Sequence, residues 1–219
     1  MILDATIISL KVVIIAVIIT LLISTIMVMI INKKESKINT LIETLITLPM
    51  FIPPSAIGYL ILIVLGKNGF IGRILNEKFN ISVIFTLSAA VIAAVVVTVP
   101  IMYQSIKSSV KSVDKELIEA AKVFGADDFT AFIKVVLPLS RRGIYSGIIL
   151  SFARAFGEFG ATILVAGNIP GKTQTLPMAM YYAIENNNNV EATKILIIVF
   201  VIAVFLMTIY KFLTTRISS

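Results

Sequence analysis

Apolar and polar positions alternate along the chain in long blocks: residues 12–31, 45–65, 81–103, 144–166 and 193–213 are apolar runs separated by polar connections. A spanning helix needs about 20 apolar residues to cross roughly 30 Å of hydrocarbon, and each run meets that length. The runs are continuously apolar rather than alternating, which argues against barrel strands. The pattern predicts an all-α fold, a single domain over residues 1–219 built as a polytopic membrane bundle of about five transmembrane helices. The first run carries no charge and exceeds the roughly 7–15 residues of a signal-peptide core, so it is expected to stay as a span.

The longest polar connection, residues 104–143, has its own periodicity. Val113, Leu117, Ala120, Ala121 and Phe124 fall on one face of a helix. Gly125 is placed to end that helix, because glycine enters the left-handed region without steric cost. Asp127 or Asp128 can cap a second helix, in which Phe129, Phe132, Ile133 and Val136 repeat at helical spacing and which Pro138 is expected to stop. The result is a helical hairpin. Its apolar face either packs beneath its own bundle or docks in a groove on a partner.

Composition supports the membrane reading: 58% of residues are hydrophobic and 14% charged, with a mean hydropathy of +1.01. Cysteine and histidine are absent, which removes disulfides, thiolate nucleophiles, imidazole bases and nearly all transition-metal sites. No catalytic and no metal-ligating residues are expected. The net charge of +7 is read as loop charge that sets orientation, not as a nucleic-acid face. With the N-terminus outside, the inner segments hold Lys33, Lys34, Lys37, Lys107, Lys111, Lys115, Lys122, Lys134, Arg141, Arg142, Lys211 and Arg216. The outer ones hold half as many: Lys11, Lys67, Arg73, Lys78, Lys172 and Lys194. This bias predicts N-terminus outside, C-terminus inside, and a cytoplasmic 104–143 loop.

Residues 166–173, AGNIPGKT, come within one letter of a phosphate-binding loop. Such a loop follows a β-strand and opens a helix. Here it follows a span on the external side, Pro170 lies inside it, and Ala166 replaces the first glycine. Any ATP site is expected on another chain.

Glu119, Ala120 and Ala121, then Gly125, then Val135, Leu137 and Pro138, resemble the E-A-A-x3-G-x9-I-x-L-P loop of the membrane subunits of ATP-binding-cassette importers. TLPMFIPPSAIGYLILIVLGKNGFIG (47–72) and ARAFGEFGATILVAGNIPGKTQTLPMAMYYAIE (153–185) are similar to molybdate importers of that family, and more loosely to its sulfate and tungstate members. The likeness covers roughly residues 10–215. It implies a multi-pass subunit of a bacterial or archaeal plasma membrane whose loop is a coupling hairpin for a cytoplasmic ATPase. It further implies a homodimer, two ATPase subunits that hold ATP and magnesium, no cofactor in this chain, and an extracytoplasmic oxyanion-binding protein. An ion-coupled carrier or channel is the competing class, and dependence on an ATPase separates the two. No cytoplasmic regulatory domain is expected, since the sequence stops at Ser219, soon after the last run.

Within the fourth run, Arg154 and Glu158 stand four apart and can pair on one helix face. An isolated charge at mid-membrane costs about 2.5–3.5 kcal/mol, so this helix is expected to face the centre of the assembly. The pair either locks helices together or touches the passing oxyanion. Gly157, Gly160 and Thr162 belong to the same candidate pathway or interface, either as close packing or as a sliding surface. Pro49, Pro53 and Pro54 predict a fixed bend or a hinge in the second run. Asn168, Lys172, Thr173 and Gln174 form an external loop that either meets the binding protein or is a solvated connection.

Overall fold

The computed structural model describes residues 1–31 and 36–216, with side chains through Leu213. Lys33 and Lys34, and the side chain of Arg216, all used for orientation above, lie outside the described residues. Every regular element among the described residues is helical.

Helix α1 spans Ile2–Ile31, ten residues more than the first apolar run, because nothing between Ile2 and Lys11 breaks a helix. It packs along the central helix α5, Leu87–Lys111. Ala5, Ser9, Ala16, Thr20 and Ser24 of α1 and Ala89, Ala90, Ala93, Ala94 and Thr98 of α5 are all buried. Small residues let the two backbones approach closely where lipid offers no hydrophobic driving force. The Thr20 and Thr98 hydroxyls bond at 3.0 Å across this seam.

The second run is not one straight span. Helix α2, Lys37–Thr47, is capped by Ser36 and followed by a tight turn at Leu48–Met50; helix α3, Pro54–Leu65, then leaves at 113° to it. Pro49, Pro53 and Pro54 supply no backbone donors, and Pro54 occupies the first turn of α3, where none is needed. A short amphipathic helix α4, Phe70–Phe79, follows and ends at Asn80 with a positive φ of 55°.

Helix α5 starts six residues later than its apolar run, because the Thr86 hydroxyl accepts the Ala89 amide. It continues to Lys111, deep into the expected loop, since residues 104–112 contain neither glycine nor proline. The hairpin follows as α6, Lys115–Val123, and α7, Asp128–Ala131. Pro138 does not stop the second arm. A π-turn at Phe132–Val136 inserts a wider loop of backbone, and Pro138 falls in the first turn of the renewed helix α8, Leu137–Leu139. There its missing N–H costs nothing. Only Ser140 then separates α8 from α9, Arg141–Phe156.

The fourth run also breaks, into α9 and α10, Gly160–Ala166, at 60°. Helix α11, Leu176–Glu185, was not foreseen, and α12, Asn189–Arg216, ends the described chain. Three helices, α1, α5 and α12, are long and apolar enough to cross a membrane alone; counting each bent pair as one crossing makes five.

Helix α5 is central to the bundle: α1 and α9 both pack along it, and they touch each other as well. At the α5–α9 seam the Ser109 hydroxyl donates to the Ser140 carbonyl at 3.1 Å and accepts the Gly143 amide at 3.3 Å. At the other end of the bundle α3 crosses α10, where a Cβ on Gly58 would lie 2.8 Å from Ala161 Cα. The two broken spans thus meet near their breaks.

Candidate functional site

Three regions carry the candidate residues: the hairpin, the break between α9 and α10, and the loop that follows α10. In the hairpin, the Asp114 carboxylate accepts the Glu116 amide at 3.0 Å and starts α6. Gly125, at φ +87°, finishes it. Its amide bonds the Lys122 carbonyl at 2.9 Å while the Ala126 amide reaches back to Ala121 at 3.0 Å, the paired closure that a left-handed residue permits. Asp127 then caps α7 through the Thr130 amide at 2.8 Å. Lys122 Nζ and Asp128 Oδ1, 2.7 Å apart, staple the two arms, and this hydrogen bond holds the Lys122 ammonium above its ordinary pKa.

The apolar side chains of the hairpin divide between two directions. Val113 and Ile118 lean on the bundle, as do Phe132 and Val136 from the second arm. Val123 and Phe124, at the tip, are 85% and 91% exposed, and Leu117 and Phe129 are also uncovered. Of the residues read from the sequence, Glu119, Ala120 and Gly125 lie on the outer surface and Ala121 is half-buried. Val135 and Leu137 are half-buried along the second arm, with Pro138 exposed. Val123 was missed because it falls outside the helical repeat of α6.

At the break, Arg154 Nη1 and Glu158 Oε2 are 2.6 Å apart, and Glu158 Oε1 accepts the Ala161 amide at 2.7 Å. Glu158 therefore closes the start of α10 as well as pairing with Arg154. Gly157 is open, whereas a Cβ on Gly160 would press on Pro54 at 3.1 Å. Thr162 is buried and, with Ser9, Glu158 and Thr175, lines a small internal cavity.

The 166–173 loop is closed on itself. The amides of Lys172, Thr173 and Gln174 all point to the Ile169 carbonyl, at 3.0, 2.9 and 3.1 Å, so they form no open cradle for phosphate. The Thr173 hydroxyl bonds the Gly167 carbonyl, and Thr173 and Gln174 are buried. A solvated connection therefore describes only part of this loop. Of the four residues predicted there, Lys172 is exposed and Asn168 half-buried.

A further cluster was invisible in sequence. Glu43 Oε1, on α2, accepts the Tyr103 hydroxyl at 2.9 Å and pairs with Lys107 Nζ at 2.6 Å. The partners are about sixty residues apart, and no local spacing announces them. Glu43→Ala should cost about 1–3 kcal/mol, because two donors lose their shared acceptor. Its apparent melting temperature in detergent tests this, and a value equal to wild type would refute it.

Comparison with known proteins places this geometry. Residues 21–219 match the family described as binding-protein-dependent transport system inner membrane component. The molybdenum transport system permease protein ModB of Escherichia coli is 37% identical over 216 residues, 98% of this chain and 94% of its own length. The protein of the same name from Haemophilus influenzae is 43% identical over 154 residues, 70% of this chain and 67% of its own. A bacterial alginate ABC transporter, solved in complex with an alginate pentasaccharide-bound periplasmic protein, shares the fold with a TM-score of 0.77 at 16% identity, covering 99% of this chain and 79% of that one. The family match covers most of the chain, and this chain belongs to the family of binding-protein-dependent transport system inner membrane components.

Proposed function

We propose that the chain is the membrane-spanning subunit of an ATP-driven importer that carries molybdate inward. The substrate rests on the relatives named for molybdenum transport, which match most of the chain. The transport mechanism rests on one observation: Val123 and Phe124, large and apolar, project from the turn with almost no cover. Aromatic side chains of this kind become anchors when a partner groove encloses them. The partner is a cytoplasmic ATPase, which puts the hairpin inside the cell, the N-terminus outside and the C-terminus inside, in the plasma membrane of a bacterium or archaeon.

A homodimer supplies the rest of the pathway, with two ATPase subunits below and an extracytoplasmic oxyanion-binding protein above. The uncovered sides of the long helices support this arrangement. Those of α1 and α12 are apolar, for example Ile14, Ile18 and Leu22, or Phe200, Val201 and Phe205, and suit lipid. The uncovered side of α9 is mixed instead: Tyr145 and Leu150 lie nearer its start, and Ala153, Gly157 and the partly exposed Arg154 at its end, which suits a second copy and a polar passage.

The test is molybdate uptake in cells lacking the gene, restored by this chain with or without its ATPase and challenged with excess tungstate or sulfate. ATPase-dependent uptake blocked by tungstate but not sulfate is the expected result. Uptake without the ATPase would make the protein a carrier, and competition by sulfate would move the substrate to sulfate.

A further inference from the structure

The Arg154–Glu158 pair is lopsided. Glu158 is 2% exposed and both of its oxygens are taken, one by Arg154 and one by the Ala161 amide. Arg154 is 32% exposed. A guanidinium carries five N–H donors, and among the described residues only Nη1 meets an acceptor. The remaining donors have no protein acceptor among these residues, and Ala153 and Gly157 on the same stretch at the end of α9 are exposed. Arg154 lies roughly 20 Å along the helix from Arg141, which is inside the bilayer when α9 and α10 together form one crossing. An exposed charge at that depth faces a wet cavity or another protein surface, not hydrocarbon.

We infer that Arg154 is a relay site for the transported oxyanion and that Glu158 is its built-in competitor. This rests on the reading of the chain as an importer of tetrahedral oxyanions. A guanidinium fork matches two oxygens of such an anion, and in the proposed homodimer the second copy would supply another Arg154. Glu158 keeps each pair neutral, so an arriving dianion meets hydrogen-bond donors without a net charge to hold it. A passage needs this balance, with binding strong enough to admit the ion and weak enough to release it. The Ala161 amide fixes the carboxylate in place, which leaves the free guanidinium donors to the anion.

The experiment uses the whole complex, this chain with its ATPase and binding protein, in liposomes and in detergent. Glu158→Gln keeps a carbonyl for the Ala161 amide and removes only the charge. Without binding protein, Glu158→Gln complexes should bind radiolabelled molybdate about tenfold or more tightly than wild type. The neutral double variant Arg154→Gln/Glu158→Gln should lack that gain. It should lose uptake by roughly ten- to a hundredfold while its ATP hydrolysis is still stimulated by loaded binding protein. Equal binding in all three proteins, or wild-type uptake by the double variant, overturns the relay. Loss of stimulated hydrolysis in the double variant marks the pair as structural and also overturns it. Failure of wild type to move molybdate is a separate result that overturns the importer reading, and the relay with it.

Discussion

A Gly125→Val protein is expected to reach the membrane with its bundle packed as in wild type and to lose about nine-tenths or more of its uptake, the loss that truncating a well-buried interface anchor produces. Gly125 sits at φ +87°, where an L-residue costs roughly 1–2 kcal/mol and a β-branched one is a genuine outlier. Valine would therefore reopen the closure made by the Gly125 and Ala126 amides. Nothing lies within 4 Å of a Cβ at this position, so no clash is transmitted to the spans. The damage falls on the direction of Val123 and Phe124. Uptake and co-purification of the ATPase measure it, and a Gly125→Asn control, which tolerates a left-handed backbone, should keep most of both. Normal uptake by the valine protein would remove the hairpin tip from the mechanism.

The second large effect lies at the α5–α9 seam. A Cβ on Gly143 would overlap Ser109 Cβ and lie 2.6 Å from the Ser105 carbonyl. Backbone cannot yield by that much, so Gly143→Val should force α9 away from α5 and break the Ser109 clasp to Gly143 and Ser140. Overpacking of this kind costs about 1–3 kcal/mol or more, and the expected outcome is poor membrane accumulation with a markedly lowered melting temperature. Gly157→Ala is the matched control, because the nearest atom to its Cβ is Ala153 O at 3.7 Å. Equal stability of the two variants would show that the seam is not close-packed.

The apolar runs and the hairpin were readable because both depend on local periodicity, and Gly125 was readable because only glycine suits its conformation cheaply. Pro138 misled for the same reason. As a local signal it ends a helix, and only the wider turn at Phe132–Val136 lets the helix continue past it. The bend at Pro49, Pro53 and Pro54 was expected, but its 113° is set by the packing of α3 on α10. Burial of Thr173 to Thr175 and the existence of α11 depend on a remote partner: the Leu176 amide donates to the Ser9 hydroxyl of α1 at 2.8 Å. Sequence pattern assigned Lys107 to a loop, whereas the fold seats it against Glu43.

The helical backbone that passes through the π-turn has a mechanical meaning. From Asp128 to Phe156 the backbone is helical except at Ser140. Hydrogen bonds bridge that residue on both sides: its amide donates to the Val136 carbonyl at 2.9 Å and its carbonyl accepts the Ile144 amide at 3.2 Å. As a straight rod the stretch would measure roughly 43 Å at 1.5 Å per residue. Gly143, where the rod presses on α5, falls close to its midpoint. A rod bearing on a post at its middle is a lever with equal arms. A tilt of about 10° around that fulcrum would shift each tip by roughly 3–4 Å, in opposite directions. For a stretch that turns as one body, a push on the hairpin in one sense would emerge beside Gly157 in the other, and the close contacts of Gly143 and Gly147 with Ser105 and Ser109 would carry the load.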